Sequence, residues 1–110
     1  MFLHNFSNVH GVIKEFNLKG DELTGATILL AAYGTDNYSG SAFVLFKKDN
    51  KLYEVNGGHC SCYGLEDQWS PEETTKDSLL FRMNNGSLGY DDWSGNLFHN
   101  ELKEILNKME

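Results

Sequence analysis

The chain has 110 residues, 40% of them apolar and 13% aromatic, which is enough for a single core and too apolar for an intrinsically disordered segment. Nine Lys and Arg against sixteen Asp and Glu give a formal net charge of −7, which repels nucleic-acid phosphate and excludes a general duplex binder. No stretch approaches the ~18 consecutive apolar residues of a membrane span, and Met1 to Ser7 has no basic segment leading into an apolar run. A cytoplasmic protein that does not engage a membrane is expected.

Ser7 is placed to cap a helix in which Val9, Val12, Ile13 and Phe16 recur at three- and four-residue spacing, ending before Gly20 and weakened by Gly11. A short turn is expected at Asp21 to Thr24. Ala26 to Tyr33 is apolar on both alternating faces and reads as a strand buried on two sides, with a helix segment as the competitor. Gly34 to Gly40 has loop composition, and Ser41 to Lys47 is a second strand rich in aromatic and β-branched residues. Lys48-Asp49-Asn50 makes a tight turn into a third strand, Lys51 to Val55. Asn56-Gly57-Gly58 then supplies positive-φ positions for a further reversal into His59 to Tyr63.

Ser70-Pro71-Glu72-Glu73 combines an N-cap Ser, a Pro at the first helical position and two acids beside the positive helix end. The helix it predicts runs through Leu79, Leu80 and Met83 and stops near Asn84-Asn85-Gly86. A loop carrying Tyr90, Asp91, Asp92 and Trp93 leads to a last helix with Phe98, Leu102, Ile105, Leu106 and Met109 as its apolar stripe. The expected architecture is a single α+β domain over residues 1–110, a three- to four-stranded antiparallel meander packed against about three helices.

Both cysteines, one of the two tryptophans and the only proline fall between Asn56 and Glu73. With His59 to Tyr63 extended, alternation puts Cys60 and Cys62 on one face and His59, Ser61 and Tyr63 on the other, so His59 and Cys60 do not readily chelate one ion. A structural zinc site needs four ligands, and the remainder would have to come from His4, His10, His99 or a carboxylate at spacings that match no ligand motif. His59, Cys60 and Cys62 are therefore weak metal candidates. No cofactor is expected, zinc being the one with any support, and the cysteines read as free thiols buried as small hydrophobes.

A thiol nucleophile needs a base and an orienting group, and no spacing supplies both. The carboxylates Glu66, Asp67, Glu72 and Glu73 are accounted for by helix capping and solvation before acid/base work. Binding fares better. Gly57 and Gly58 offer backbone N–H groups, the expected helix start offers more, and Tyr53, Tyr63 and Trp69 are aromatics with polar handles. The candidate ligand- or partner-binding set is Tyr53, Asn56, Gly57, Gly58, His59, Tyr63, Asp67, Trp69, Glu72 and Glu73. The competing reading has Trp69 and Tyr63 covering the sheet edge and packing the loop on the core.

The block from Tyr38-Ser39-Gly40 through Tyr53-Glu54-Val55-Asn56-Gly57-Gly58-His59-Cys60-Ser61-Cys62-Tyr63-Gly64-Leu65-Glu66 to Gln68-Trp69-Ser70-Pro71-Glu72-Glu73-Thr74-Thr75 resembles a small family of phage and prophage proteins of unassigned function. The resemblance covers most of the chain after about Gly25 and brings no catalytic residues with it. It implies a virus-encoded accessory protein in the cytoplasm of an infected bacterium. The expected function is non-enzymatic interference with antiviral defence, either by binding a host defence protein or by sequestering a nucleotide-derived immune signal. In the first form Glu66, Asp67, Glu72, Glu73 and Asp77 face a basic nucleic-acid channel; in the second Trp69 and Tyr63 stack on a base while Gly57, Gly58 and the helix start hold phosphate. A small metal- or thiol-dependent enzyme using His59, Cys60 and Cys62 is the alternative, and self-association into a homo-oligomer stays open.

Overall fold

Three consecutive ten-residue strands, each with apolar residues at successive positions, give a sheet with two apolar faces, and helices cover both. The computed structural model describes residues 2–4, 6, 8–18, 23–36, 39–60, 65, 68–85, 88 and 98–108. Among them the order is β1 (Phe2–His4), α1 (Val9–Phe16), β2 (Thr27–Asp36), β3 (Ser39–Lys48), β4 (Lys51–Cys60), β5 (Glu72–Thr74), α2 (Lys76–Asn85) and α3 (His99–Lys108). The five strands form one mixed sheet in sequence order. β1 pairs parallel with β2, with α1 as the crossover that a parallel pair requires, and every later pairing is antiparallel. The fold is α+β, as expected, with a meander at its centre.

Residue alternation assigns the faces. Ala42, Val44 and Phe46 of β3 join Val55 of β4 under α1, where Phe6, Val12 and Phe16 close the layer. Phe43 and Leu45 point the other way and meet Leu79 and Met83 of α2 with Leu102 and Leu106 of α3. A bulge in β2 keeps this consistent: the register slips between Ile28 and Leu30, so Leu29 is the extra residue. Ile28 and Ala31, three apart, thereby share the α1 side while Leu29 and Leu30 both serve the other. Phe98, just ahead of α3, stacks on Phe43 with ring centroids 4.7 Å apart.

The ends of these elements follow local chemistry. α1 begins at Asn8, whose side chain accepts from the Gly11 N–H at 3.0 Å, in place of the expected Ser7, which lies outside the described residues. Gly11 stays within the helix, since a short helix gains more from burying Val12 and Phe16 than one glycine costs. Asn17 ends the helix in the left-handed conformation, with the Leu18 N–H donating to Ile13 O and the Asn17 N–H to Lys14 O, a Schellman motif with Asn in the usual glycine place. Between β3 and β4 the tight turn expected at Lys48-Asp49-Asn50 forms with two residues, Asp49 (φ 55°) and Asn50 (φ 65°), Lys48 being the last residue of β3 and paired with Lys51.

Four expectations need correction. The strands flanking the Gly34 to Gly40 segment continue through it, β2 to Asp36 and β3 from Ser39, leaving two residues for the connection. The reversal at Asn56-Gly57-Gly58 is absent: neither glycine has positive φ, and both sit inside β4, paired with Ala42 and Ser41 of β3. His59 and Cys60 are therefore the end of β4 and not the start of another strand, and Ser61 to Tyr63 fall outside the described residues. The helix after Pro71 starts five residues later than that proline, at Lys76, with the Thr75 hydroxyl accepting from the Ser78 N–H at 3.1 Å. Glu72 to Thr74 instead pair with β4, because a free strand edge offers ladder bonds that an isolated first helical turn does not. The short strands β1 and β5 are additions to the expected elements. Tyr90 to Trp93 and Met109 lie outside the described residues.

Among the described residues one charge is buried in this frame. Glu54, 5% exposed, sits on the α2-facing side of β4 opposite Leu45, and opposite Glu72 of β5 on its other flank. Arg82 of α2 donates to Glu54 Oε2 and Asn56 Nδ2 donates to Oε1 at 3.3 Å. Since Arg82 keeps 39% of its side chain in solvent, the pair costs less desolvation than a fully buried one, while its loss strands a carboxylate among apolar groups. Arg82→Ala is expected to lower stability by about 2–3 kcal/mol in denaturant unfolding, whereas the double change Glu54→Met with Arg82→Met costs clearly less. A single-variant loss below about 0.5 kcal/mol, the range of a surface pair, would show that the ion pair does not hold α2 to the sheet.

Candidate functional site

The segment that carries the candidate residues folds back on the edge of β4. Gly57 is the reason it can. A side chain there would point to the α1 face, and a Cβ built on it would lie 3.1 Å from Leu65 Cδ2 and 3.3 Å from Phe16 Cε1. With Ala42 opposite on β3, the sheet has a dent at this point into which Phe16 and Leu65 both descend, each buried to 1% or less. Glycine in a strand costs up to about 1 kcal/mol, and burying a Phe and a Leu side chain returns about 1.5–3 kcal/mol each. The dent is the favoured solution.

Gly58 is fastened too. Its N–H donates to Gln68 Oε1 at 2.8 Å and its carbonyl accepts from Gln68 Nε2 at 2.6 Å, so one side-chain amide takes both backbone groups in the manner of a neighbouring strand. Gln68 is held in turn by its own N–H to Leu65 O at 3.1 Å. Immediately after it, Trp69 stacks on Phe46 at 5.8 Å with 11° between the planes and meets Phe16 edge-on at 5.2 Å. Tyr53, the cross-strand partner of Phe46, stacks on the same ring at 5.4 Å. The order Leu65, Gln68, Trp69 therefore closes, in sequence, the dent at Gly57, the edge at Gly58 and the aromatic row at Phe46.

These facts decide what each candidate residue can do. Tyr53, Gly57 and Trp69 belong to the α1 side of the sheet; Asn56 is on the other, bonded to Glu54. Glu72 and Glu73 are exposed on β5 at the sheet's edge, paired with Glu54 and Tyr53. They do not converge on one cavity. The backbone groups of Gly58 are engaged by Gln68, and the helix start that was to assist them lies at Lys76, so the phosphate cradle expected from Gly57, Gly58 and Ser70 to Glu73 is not formed. His59 and Cys60 occupy successive strand positions opposite Gly40 and Ser39; Cys62, Tyr63, Glu66 and Asp67 lie outside the described residues. Among the described residues no group of three or more His, Cys, Asp or Glu is placed to hold a metal ion.

Two open grooves flank the β3–β4 turn. One, of about 260 Å³, is lined by Phe46, Lys48, Asp49, Tyr53 and Pro71 on the α1 side. The other, of about 310 Å³, lies on the opposite side between Lys47, Lys51, Thr74 and Lys76. Sequence reading missed both, along with the Glu54–Arg82 pair. The lysines around Asp49-Asn50 were the available signal, but they read as a solvated turn. Among the described residues no helix is long and apolar enough to cross a membrane. No family model matches the chain, and no curated protein or solved structure matches it.

The glycine pair separates under substitution. Gly57→Ala is expected to lose about 1–3 kcal/mol, the cost of overpacking, because its methyl would force the buried Phe16 and Leu65 side chains to shift. Gly58→Ala, whose Cβ meets, among the described residues, Gly40 O alone, at 3.9 Å, stays within about 0.5 kcal/mol of the parent. Thermal or urea unfolding of both variants checks this; equal effects would refute the dent as a packing device.

Proposed function

We propose that this chain is a phage-encoded, non-enzymatic accessory protein that interferes with bacterial antiviral defence by binding a defence protein. The viral setting rests on the resemblance of the block from Tyr38 to Thr75 to phage and prophage proteins. The mode of action rests on β5. A sheet edge with two exposed carboxylates, Glu72 and Glu73, extended by exposed Asp77 in the first turn of α2, presents negative charge and a row of backbone groups on one rim. Such a rim suits a basic surface, and a net charge of −7 steers association with one. The nucleotide-sequestering form draws no comparable support, since Gly58 is already bonded to Gln68 and Trp69 is stacked on Phe46.

Expression of the chain in bacteria carrying individual defence systems, followed by phage challenge, tests the reading. Plating should be restored for at least one system, and the charge reversal Glu72→Lys with Glu73→Lys should abolish restoration while leaving the unfolding midpoint nearly unchanged. Restoration by the reversed variant at parental level would reject β5 as the docking edge. Saturable calorimetric binding of a cyclic nucleotide by the parent would favour sequestration instead.

A further inference from the structure

We infer that the groove between the β3–β4 turn and the start of α2 is an anion site for a phosphate group. Lys47, Leu52 and Thr74 stand in one row across β3, β4 and β5, so the end of the sheet forms the floor. Leu52 is 8% exposed there and supplies a low-dielectric base. Lys47 and Lys51 rise on the turn side with Asn50 between them in sequence, and Thr75 and Lys76 form the opposite wall. Among the described residues, three lysines thus line this groove with one carboxylate, Glu73. Among the described residues Lys47 and Lys51 have no ion-pair partner, so their ammonium groups are available.

The inventory of donors fits phosphate better than carboxylate or a cation. Two ammonium groups, an amide and the Thr74 hydroxyl offer more N–H and O–H groups than a planar carboxylate can accept, whereas phosphate oxygens accept from several directions at once. The overall negative charge does not forbid this. Charges more than about 8 Å away are largely screened at physiological ionic strength, and the lysines lie within contact range of anything in the groove. At about 310 Å³ the space admits inorganic phosphate, pyrophosphate or the phosphate end of a nucleotide. The site is independent of the β5 docking surface except for Glu73, which borders both.

The test is a titration of the 110-residue chain, followed by amide chemical shifts at constant ionic strength, with inorganic phosphate, pyrophosphate and a nucleoside diphosphate in separate arms. Saturable shifts are expected at Lys47 to Leu52 and Thr74 to Lys76, tighter for pyrophosphate than for phosphate. Lys47→Gln with Lys51→Gln should weaken binding at least about tenfold, the loss of a charge-assisted contact, and Lys103→Gln on α3 should leave it unchanged. Equal affinity for pyrophosphate and the nucleoside diphosphate assigns a site for phosphate alone; tighter nucleotide binding with shifts reaching Phe46 and Tyr53 assigns a nucleotide. Non-saturating shifts, or saturation unaltered by the double lysine variant, would overturn the inference. Both lysines are exposed, so the variant folds and its unfolding midpoint serves as the control.

Discussion

A missing side chain at Gly57 sets the distance between the sheet and everything packed on its α1 face. Phe16 brings the last turn of α1 down onto β4, and Leu65 brings the returning loop to the same spot. Because both are essentially fully buried, neither can be displaced without opening the other. The consequence spreads along the chain in both directions. Fixing Phe16 fixes the Schellman end at Asn17 and Leu18, which turns the chain towards β2; fixing Leu65 puts Gln68 beside Gly58 and Trp69 over Phe46. β5 follows two residues after Ser70, already alongside β4.

The opposite face obeys a different constraint. There the contacts are aliphatic and aromatic apart from Glu54, and the single arginine that reaches it comes from the middle of α2. A buried carboxylate gives little net stability, but it discriminates between placements of α2, because a rotation of the helix that removed Arg82 would leave Glu54 uncompensated next to Glu72 across the ladder. One face is positioned by steric fit at a glycine, the other by electrostatic pairing at a glutamate. The bulge at Leu29 lets the same strand serve both.

Periodicity makes the central elements legible in the sequence. α1, the core of β2, β3 and the start of β4, the turn at Asp49-Asn50 and the apolar stripe of α3 follow from alternation, three- and four-residue spacing and turn chemistry, all of which are local. What is not legible depends on partners distant in sequence. Gly57-Gly58 carries the composition of a turn, and only the ten-residue template of β3 and the demand of Phe16 for space keep it extended. Ser70-Pro71-Glu72-Glu73 has the local marks of a helix start, and the open edge of β4 outcompetes them. β1, three residues paired in parallel with β2, has too few positions for any period to register. Within the candidate site, Tyr53 and Trp69 share the ring of Phe46 and Glu73 pairs with Tyr53, but a sheet separates Asn56 from this aromatic row.

The division of labour that results bears on where recognition can occur. Gly57, Gly58, Leu65, Gln68 and Trp69 are spent on packing and hydrogen bonding against β4 and its neighbours. Residues engaged in this way leave the outward chemistry to their neighbours. Those neighbours carry both signs close together: carboxylates on β5 and at Asp77, and lysines around the β3–β4 turn and at Lys76, where α2 begins. The two lie within one strand of each other, since Glu73 pairs with Tyr53 while Lys51 begins the same strand two residues earlier. A partner approaching this rim meets a charge boundary and not a uniform acidic field. Orientation is then selected along with affinity, because rotating the partner in the plane of the rim would set like charges against each other.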